Sequence, residues 1–326
     1  MKSVLCRSYG PPENLTLEEI DAPSPNDDQI LIDVNAAGLN FPDTLQIAGK
    51  YQFQPPFPFV PGAELAGTVA AVGANAAAFK VGDRVMALPG IGALAELAVA
   101  DTHDVFHVPE GMTMAEAAGF IMVYGTSYYA LKQRAALQPG ESLLVLGASG
   151  GVGLTAVELG KALGARVYAA ASSKEKLAVA RDAGADVLIN YGTGDLKQQV
   201  KDLTQGEGCD VIYDPVGGDL FDQAARCIAW EGRYLVVGFA SGRIPQLPAN
   251  LILLKGCQYV GVFWGAFRRR DPQTHEQNFK ALFDLYRAGK IHPRVGHTFR
   301  LDQYADALNV FVNRQAMGKV VVQIKQ

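Results

Sequence analysis

The chain of 326 residues is 49% hydrophobic and 19% charged, with a net charge of −4. This is ordinary globular composition with room for two domains that each bury a core. It gives no reason to expect nucleic acid or an acidic membrane as partner, and no apolar run is long enough to span a bilayer.

Met1-Lys2-Ser3-Val4 enters a strand-like segment directly, without the pattern of a signal peptide. Four scattered cysteines, Cys6, Cys209, Cys227 and Cys257, suggest neither a zinc knuckle nor a disulfide framework. A soluble, cytoplasmic protein is expected. The first part of the chain is strand-rich, with short β segments at Ser3–Cys6, Leu15–Ile20, Ile30–Ala37, Ala66–Val72, Arg84–Leu88 and Ala93–Ala98. Turn signals such as Gly10-Pro11-Pro12 and Gly82-Asp83 separate them. The segment Tyr51–Pro61 is dense in proline and aromatics, and it predicts a stiff loop because proline cannot sit in a helix interior. Thr113-Met114-Ala115-Glu116 reads as a capping box opening a helix, and a second helical stretch runs from about Gly125 to Arg134.

From Glu141 the pattern changes to alternating strand and helix. Leu143-Leu144-Val145-Leu146 has the look of a buried parallel strand. Glycines follow at Gly147, Gly150, Gly151 and Gly153, and then a helical run to Gly164. Strand, glycine turn and helix in that order form a dinucleotide signature. The backbone approaches a pyrophosphate closely there, and the helix points its first N–H groups at it. Ser149, Gly150, Gly151 and Val152 are the candidate contacts. Strand at Arg166–Ala171, helix at Lys174–Asp182, strand at Val187–Asn190 and helix at Leu196–Leu203 continue the series. Val211–Tyr213, Phe221–Ile228, Tyr234–Val237 and Tyr259–Phe263 extend it into a doubly wound parallel sheet. Helices near Gln273–Ala288 and Gln303–Asn313 and a strand at Lys319–Ile324 break the alternation and are assigned back to the first domain. The fold class is therefore α/β, a Rossmann-type sheet inserted in a β-rich domain. The expected domains are residues 1–123, 124–264 and a return over 265–326, with a ligand cleft between them.

Several landmarks then carry a resemblance over the whole length. They are Asn40-Phe41-Pro42-Asp43, Pro61-Gly62-Ala63-Glu64-Leu65-Ala66-Gly67 with Val72-Gly73, and Val81-Gly82-Asp83-Arg84-Val85. Tyr124-Gly125-Thr126-Ser127-Tyr128-Tyr129-Ala130-Leu131, the glycine turn and Gly318-Lys319-Val320-Val321 complete the set. In this order the chain resembles the medium-chain dehydrogenases/reductases, specifically the zinc-independent, zeta-crystallin-like quinone oxidoreductases. The resemblance implies a GroES-like catalytic domain, a homodimer and NADPH-dependent hydride transfer to quinones. An enone, enal or enoyl-CoA reductase is the nearest alternative, and a non-catalytic NADPH-binding module is another. No metal is expected: where zinc-bearing relatives place a cysteine and a histidine, this chain has Phe41 or Pro42, and Ala63, which are not zinc ligands.

The resemblance also assigns residues. Asn40, Asp43 and Tyr51 fall at the catalytic positions. Asn40 is expected to bind the ribose or the substrate oxygen, and Tyr51 to donate a proton. The structural alternatives are that Asp43 caps a short helix through Thr44–Ile47 and that Tyr51 packs in its loop. Thr126 matches the contact beneath the nicotinamide, and Gly318 is counted with the cofactor positions. Ala169-Ala170-Ala171-Ser172-Ser173-Lys174-Glu175-Lys176 ends a strand without the acid that binds the ribose diol of NAD. Ser172, Ser173 and Lys176, with Tyr191 by resemblance, are expected around a 2′-phosphate; alternatively the serines only cap the next helix. Val216, Phe239, Phe263 and Trp264 follow strands and are expected to line the cofactor, with core packing as the alternative for the aromatic ones. Arg268-Arg269-Arg270 reads as solvated surface or as a hold for the tail of an acyl-CoA.

Overall fold

The structure, a computed structural model, describes residues 1–325. The strands are β1 (Lys2–Leu5), β2 (Thr16–Glu19), β3 (Gln29–Leu39), β4 (Glu64–Val72), β5 (Arg84–Ala87), β6 (Leu97–Asp101), β7 (Val105–His107) and β8 (Ser142–Leu146). They continue as β9 (Arg166–Ala171), β10 (Val187–Asn190), β11 (Cys209–Asp214), β12 (Ile228–Val236), β13 (Gln258–Gly261), β14 (Val295–Arg300) and β15 (Lys319–Gln323). The α-helices are α1 (Phe41–Ile47), α2 (Met114–Ala118), α3 (Ile121–Tyr129), α4 (Gly151–Ala162), α5 (Lys174–Asp182) and α6 (Leu196–Leu203). After them come α7 (Gly218–Ala224), α8 (Ala249–Lys255), α9 (Trp264–Arg270), α10 (Pro272–Arg287) and α11 (Tyr304–Val312). Two compact units result: Met1–Met122 with the segment from Pro293 onward, and Val123–His292.

In the first unit, β14, β15, β3, β4, β5 and β7 lie side by side, and β6 also pairs with β3. All these pairings are antiparallel except that of β14 with β15. Along β3, Ile30, Ile32 and Val34 alternate inward to the core, and from Ala36 onward every residue is buried. Alternation of side chains across a strand explains the first part. The small residues Ala36, Ala37 and Gly38 explain the second, since they admit close neighbours on both faces. A Cβ on Gly38 would lie 2.0 Å from the Ala118 carbonyl oxygen. β3 thus delivers its C-terminal end, and Asn40 just beyond it, into buried surroundings.

In the second unit the sheet order is β10-β9-β8-β11-β12-β13, and every pairing is parallel. Counted from β8, this is the order 3-2-1-4-5-6 of dinucleotide-binding sheets, with the switch point between β8 and β11. Leu144, Leu146, Tyr168, Ala170, Ile189 and Ile212 place one core on this sheet.

Residues 265–292, expected to return to the first domain, lie in the second unit. Aromatic packing holds them there. Phe267 stacks on Tyr129 at 4.1 Å between ring centroids, and His275 lies 5.7 Å from Trp264. Phe263-Trp264-Gly265 does not end a strand, because β13 stops at Gly261 and Trp264 opens α9. The strand expected at Ala93–Ala98 begins at Leu97 as β6. Before it, Ala95 forms only an isolated bridge to Ser3.

Candidate active site

The first unit carries a buried polar cluster at the meeting of three strands. In register, Gly38 of β3 faces Glu64 of β4, and Leu39 faces Val320 of β15. Asn40, Glu64 and Lys319 therefore converge, although Lys319 lies 255 positions from Glu64. The Lys319 Nζ donates to the Leu39 carbonyl at 2.9 Å, to Asn40 Oδ1 at 2.7 Å and to Glu64 Oε1 at 2.7 Å. Asn40 Nδ2 donates to Glu64 Oε1 at 2.9 Å, and the Met122 N–H donates to Glu64 Oε2 at 2.9 Å. The Lys319 stem needs Gly119 beneath it, where a Cβ would come within 2.9 Å of the Lys319 Cγ and Cε. A buried ion pair survives only when such hydrogen bonds complete it.

Asn40 is also the N-cap of α1. Its N–H donates to Asp43 Oδ2 at 2.7 Å, and the Asp43 N–H donates to the Asn40 carbonyl at 3.1 Å. Asp43 is buried, and α1 starts at Phe41 and not at Thr44, so Asp43 lies in its first turn. Burial pushes the Asp43 carboxyl up to about 7, against the pull of the Asn40 N–H and the Lys319 charge. Half-buried Tyr51 has its hydroxyl pushed up by burial and, secondarily, by the Asp43 charge. The neutral form of Tyr51, with an O–H to donate, is thereby favoured, and Asp43 keeps its proton to a higher pH than an ordinary carboxyl does. Gly318, with φ +75°, is buried in the same unit; a Cβ there would meet the Arg294 carbonyl at 2.7 Å.

In the second unit the expected dinucleotide residues gather at the C-terminal ends of the parallel strands, where open α/β sheets bind ligands. Gly147, Ala148 and Ser149 follow β8, and Gly150 is the N-cap of α4. Gly153 must be glycine, since a Cβ would lie 2.2 Å from the Gly147 carbonyl oxygen. Val216, after β11, sits over this turn: a Cβ on Gly147 would meet its Cγ2 at 2.9 Å. Asp214 fixes that loop by accepting from the Val216 and Gly217 N–H groups at 2.8 Å each and from the Tyr234 hydroxyl at 2.7 Å. Phe239 follows β12 and flanks Gly217, at 3.0 Å from the place of its Cβ. Thr126 lies on α3. Its neighbour Ser127 ties α3 to the first turn of α4 by donating to the Val152 carbonyl at 2.9 Å.

Ser172 follows β9 and is exposed, while Lys176 and Tyr191 are half-buried. The Tyr191–Gly192 segment approaches closely, with the Ser172 carbonyl 2.2 Å from where a Gly192 Cβ would be. Ser173 caps α5 by accepting from the Lys176 N–H at 3.3 Å, so its capping role is real whatever else it binds. Burial pushes the Lys176 ammonium down. Two residues stand apart from this picture. Trp264 is 5% exposed and packs onto Gly125, and Phe263 is 60% exposed.

Glu64 and Lys319 were legible only as parts of sequence landmarks. The available signal was a charge inside an apolar strand pattern, Glu64 before Leu65-Ala66-Gly67 and Lys319 before Val320-Val321-Val322.

Two family models match: residues 26–110 as an alcohol dehydrogenase GroES-like domain, and residues 151–284 as a zinc-binding dehydrogenase. A quinone oxidoreductase-like protein 2 homolog of Nematostella vectensis is 39% identical over 100% of this chain and 89% of its own length. The structure of Escherichia coli quinone oxidoreductase complexed with NADPH has a TM-score of 0.91 at 26% identity, covering 99% of this chain and 100% of that one. The CurK enoyl reductase structure has a TM-score of 0.90 at 25% identity, covering 99% of each chain.

Zinc does not fit the residues present. Phe41, Pro42 and Ala63 offer no ligand, Glu64 is already paired with Lys319, and among the described residues no group of three His, Cys, Asp or Glu could hold a metal ion. A catalytic zinc needs three such ligands. With the two domain matches and the full-length likeness, the chain belongs to the zinc-independent quinone oxidoreductases of the medium-chain dehydrogenase/reductase family.

Proposed function

We propose that this oxidoreductase uses NADPH to reduce quinones without a metal. The observation that carries the cofactor half is the 3-2-1-4-5-6 sheet, which gathers the glycine turn, Ser172, Ser173, Lys176, Tyr191, Val216 and Phe239 at its C-terminal edge. The tip of β9 there carries no acid to repel a 2′-phosphate. The turn and the start of α4 would hold the pyrophosphate. Ser172, Lys176 and Tyr191 would hold the 2′-phosphate. NADPH supplies hydride when bound.

The chain's own part in the chemistry is to receive the charge that hydride transfer builds on the substrate oxygen. Asn40 offers an N–H to that oxygen. Tyr51, whose hydroxyl burial keeps protonated, donates the proton, and Asp43 holds the Asn40 end of α1 in place. A quinol is a stable product, so the demand on this acid is small. The likeness to an enoyl reductase structure supports a second reading, in which the oxygen is that of an α,β-unsaturated carbonyl.

Three further assignments belong to this reading. The chain acts as a homodimer, for which β13 supplies a sheet edge, paired among the described residues only with β12. It works in the cytoplasm, consistent with four buried cysteines present as free thiols. Phe263, exposed at the N-cap of α9, would reach the cofactor only from outside the sheet, whereas Trp264 shapes the site by supporting Gly125.

The test follows NADPH absorbance with purified protein against para- and ortho-quinones, an enone, an enal and an enoyl-CoA, with NADH in parallel. Quinone turnover with NADPH preferred is the expected result. Turnover confined to the enone, enal or enoyl-CoA would replace the quinone reading with the second. Tight NADPH binding without turnover of any of them would leave a binding module.

A further inference from the structure

The hydrogen bonds around Asn40 decide which end of its amide faces which neighbour. An ammonium has only donors and a carboxylate only acceptors. Lys319 Nζ, spent on three oxygens, can meet only Oδ1 of Asn40, and Glu64 Oε1 can meet only Nδ2. Turning the amide over would set its NH2 against the ammonium and its oxygen against the carboxylate, with both partners buried (Lys319 6%, Glu64 0% exposed). In the low-dielectric interior both contacts would be strongly repulsive. One amide hydrogen goes to Glu64, and among the described residues the second has no acceptor.

We propose that Lys319 and Glu64 are positioning residues that lock the Asn40 side chain as a hydrogen-bond donor toward substrate. The group offered is then an N–H, suited to a carbonyl or quinone oxygen that gains negative charge as hydride arrives. The ion pair touches no reacting atom; it acts through Asn40. This inference rests on the reductase reading above and gives it a direction. A site whose amide is held as a donor stabilises the oxyanion of a reduction, and this chain does so without a metal.

The test is a mutant cycle read in single turnovers of NADPH with a para-quinone. The variants are Asn40→Ala, the charge-neutral pair Glu64→Gln with Lys319→Met, and the combined triple. Removing both charges together avoids leaving either one buried alone. Asn40→Ala and the Glu64→Gln, Lys319→Met pair are each expected to slow hydride transfer on the order of 10²-fold, as for loss of an oxyanion donor. NADPH affinity is expected to stay within about twofold, a negligible change beside that loss. The triple variant is expected to be no slower than Asn40→Ala alone, because the pair has no other route to the reaction. Multiplying effects in the triple, or a loss confined to NADPH affinity, would overturn the proposal.

Protein labelled with 15N-asparagine provides a readout independent of turnover. Two separate, widely spaced Nδ2 proton resonances are expected for Asn40 in the wild type, collapsing toward one another in the Glu64→Gln, Lys319→Met variant. Unchanged resonances would overturn the lock. If the wild type reduces none of the substrates, the reductase reading fails on that result, and the amide spectrum still decides the lock.

Discussion

Asp43 gives the candidate site a pH signature that a single substitution can isolate. Its ordinary value is 3.8 and its folded value about 7, so between these limits the folded chain keeps a proton that the unfolded chain releases. Stability from this group is therefore greatest below about pH 4, falls as pH rises toward 7 and levels off above it. Asp43→Asn, which keeps an oxygen for the Asn40 N–H, is expected to remove that slope. At pH 8 it should be the more stable protein, by at most roughly 1.4 kcal/mol for each pK unit of the shift. Urea unfolding at pH 5 and pH 8 checks this, and an unchanged slope in the variant would mean that another group titrates.

On the cofactor side, Lys176→Ala is expected to weaken NADPH about 10- to 100-fold and NADH by less than twofold, the cost of one charge-assisted contact. Equal losses for both nucleotides, measured by fluorescence titration, would remove Lys176 from the 2′-phosphate. Asn40, Asp43, Ser172 and Lys176 were readable as candidates in the chain because each sits in or beside a local motif. The partnership of Glu64 with Lys319 was not, because only the pairing of β3 with both β4 and β15 brings these residues together.

At the scale of elements, the glycine turn makes a contrast within four residues. A Cβ at Gly153 would lie 2.2 Å from the Gly147 carbonyl oxygen, whereas at Gly150 the nearest atom is 3.6 Å away and φ is −78°. Gly153→Ala is therefore expected to destabilise the second unit by roughly 3 kcal/mol or more and to abolish dinucleotide binding. Gly150→Ala should fold normally, and thermal unfolding with and without NADPH separates the two. Elements with strong local signals were readable to the residue: β9, α5, β10 and α6 match the alternation of apolar runs and caps. Others were hidden. α8 reads Ala-Asn-Leu-Ile-Leu-Leu-Lys, yet none of its residues is buried, and Leu253 is 81% exposed. An apolar run that covers no core sends the wrong message about where it lies. β14 and α9 were missed because the one follows a proline and glycine stretch and the other begins inside what looked like a strand end.

For the whole molecule, composition and alternation separated a β-rich part from a parallel-sheet part, but they placed residues 265–292 with the wrong partner. The aromatic faces of α9 and α10 decide that placement, and periodicity alone does not say which surface an aromatic face will meet. The same scale holds the assembly. Sedimentation of the 34.8 kDa chain is expected to show a dimer, and a monomer at micromolar concentration would leave the β13 edge without its proposed use. Metal-free hydride transfer from NADPH to a quinone can be followed in a single turnover with NADPH deuterated at C4 in the presence of a strong chelator. Quinone-dependent loss of NADPH absorbance is expected, with a primary isotope effect and no change on chelation. Absence of quinone-dependent oxidation, or activity that disappears with the chelator and returns with zinc, would contradict it.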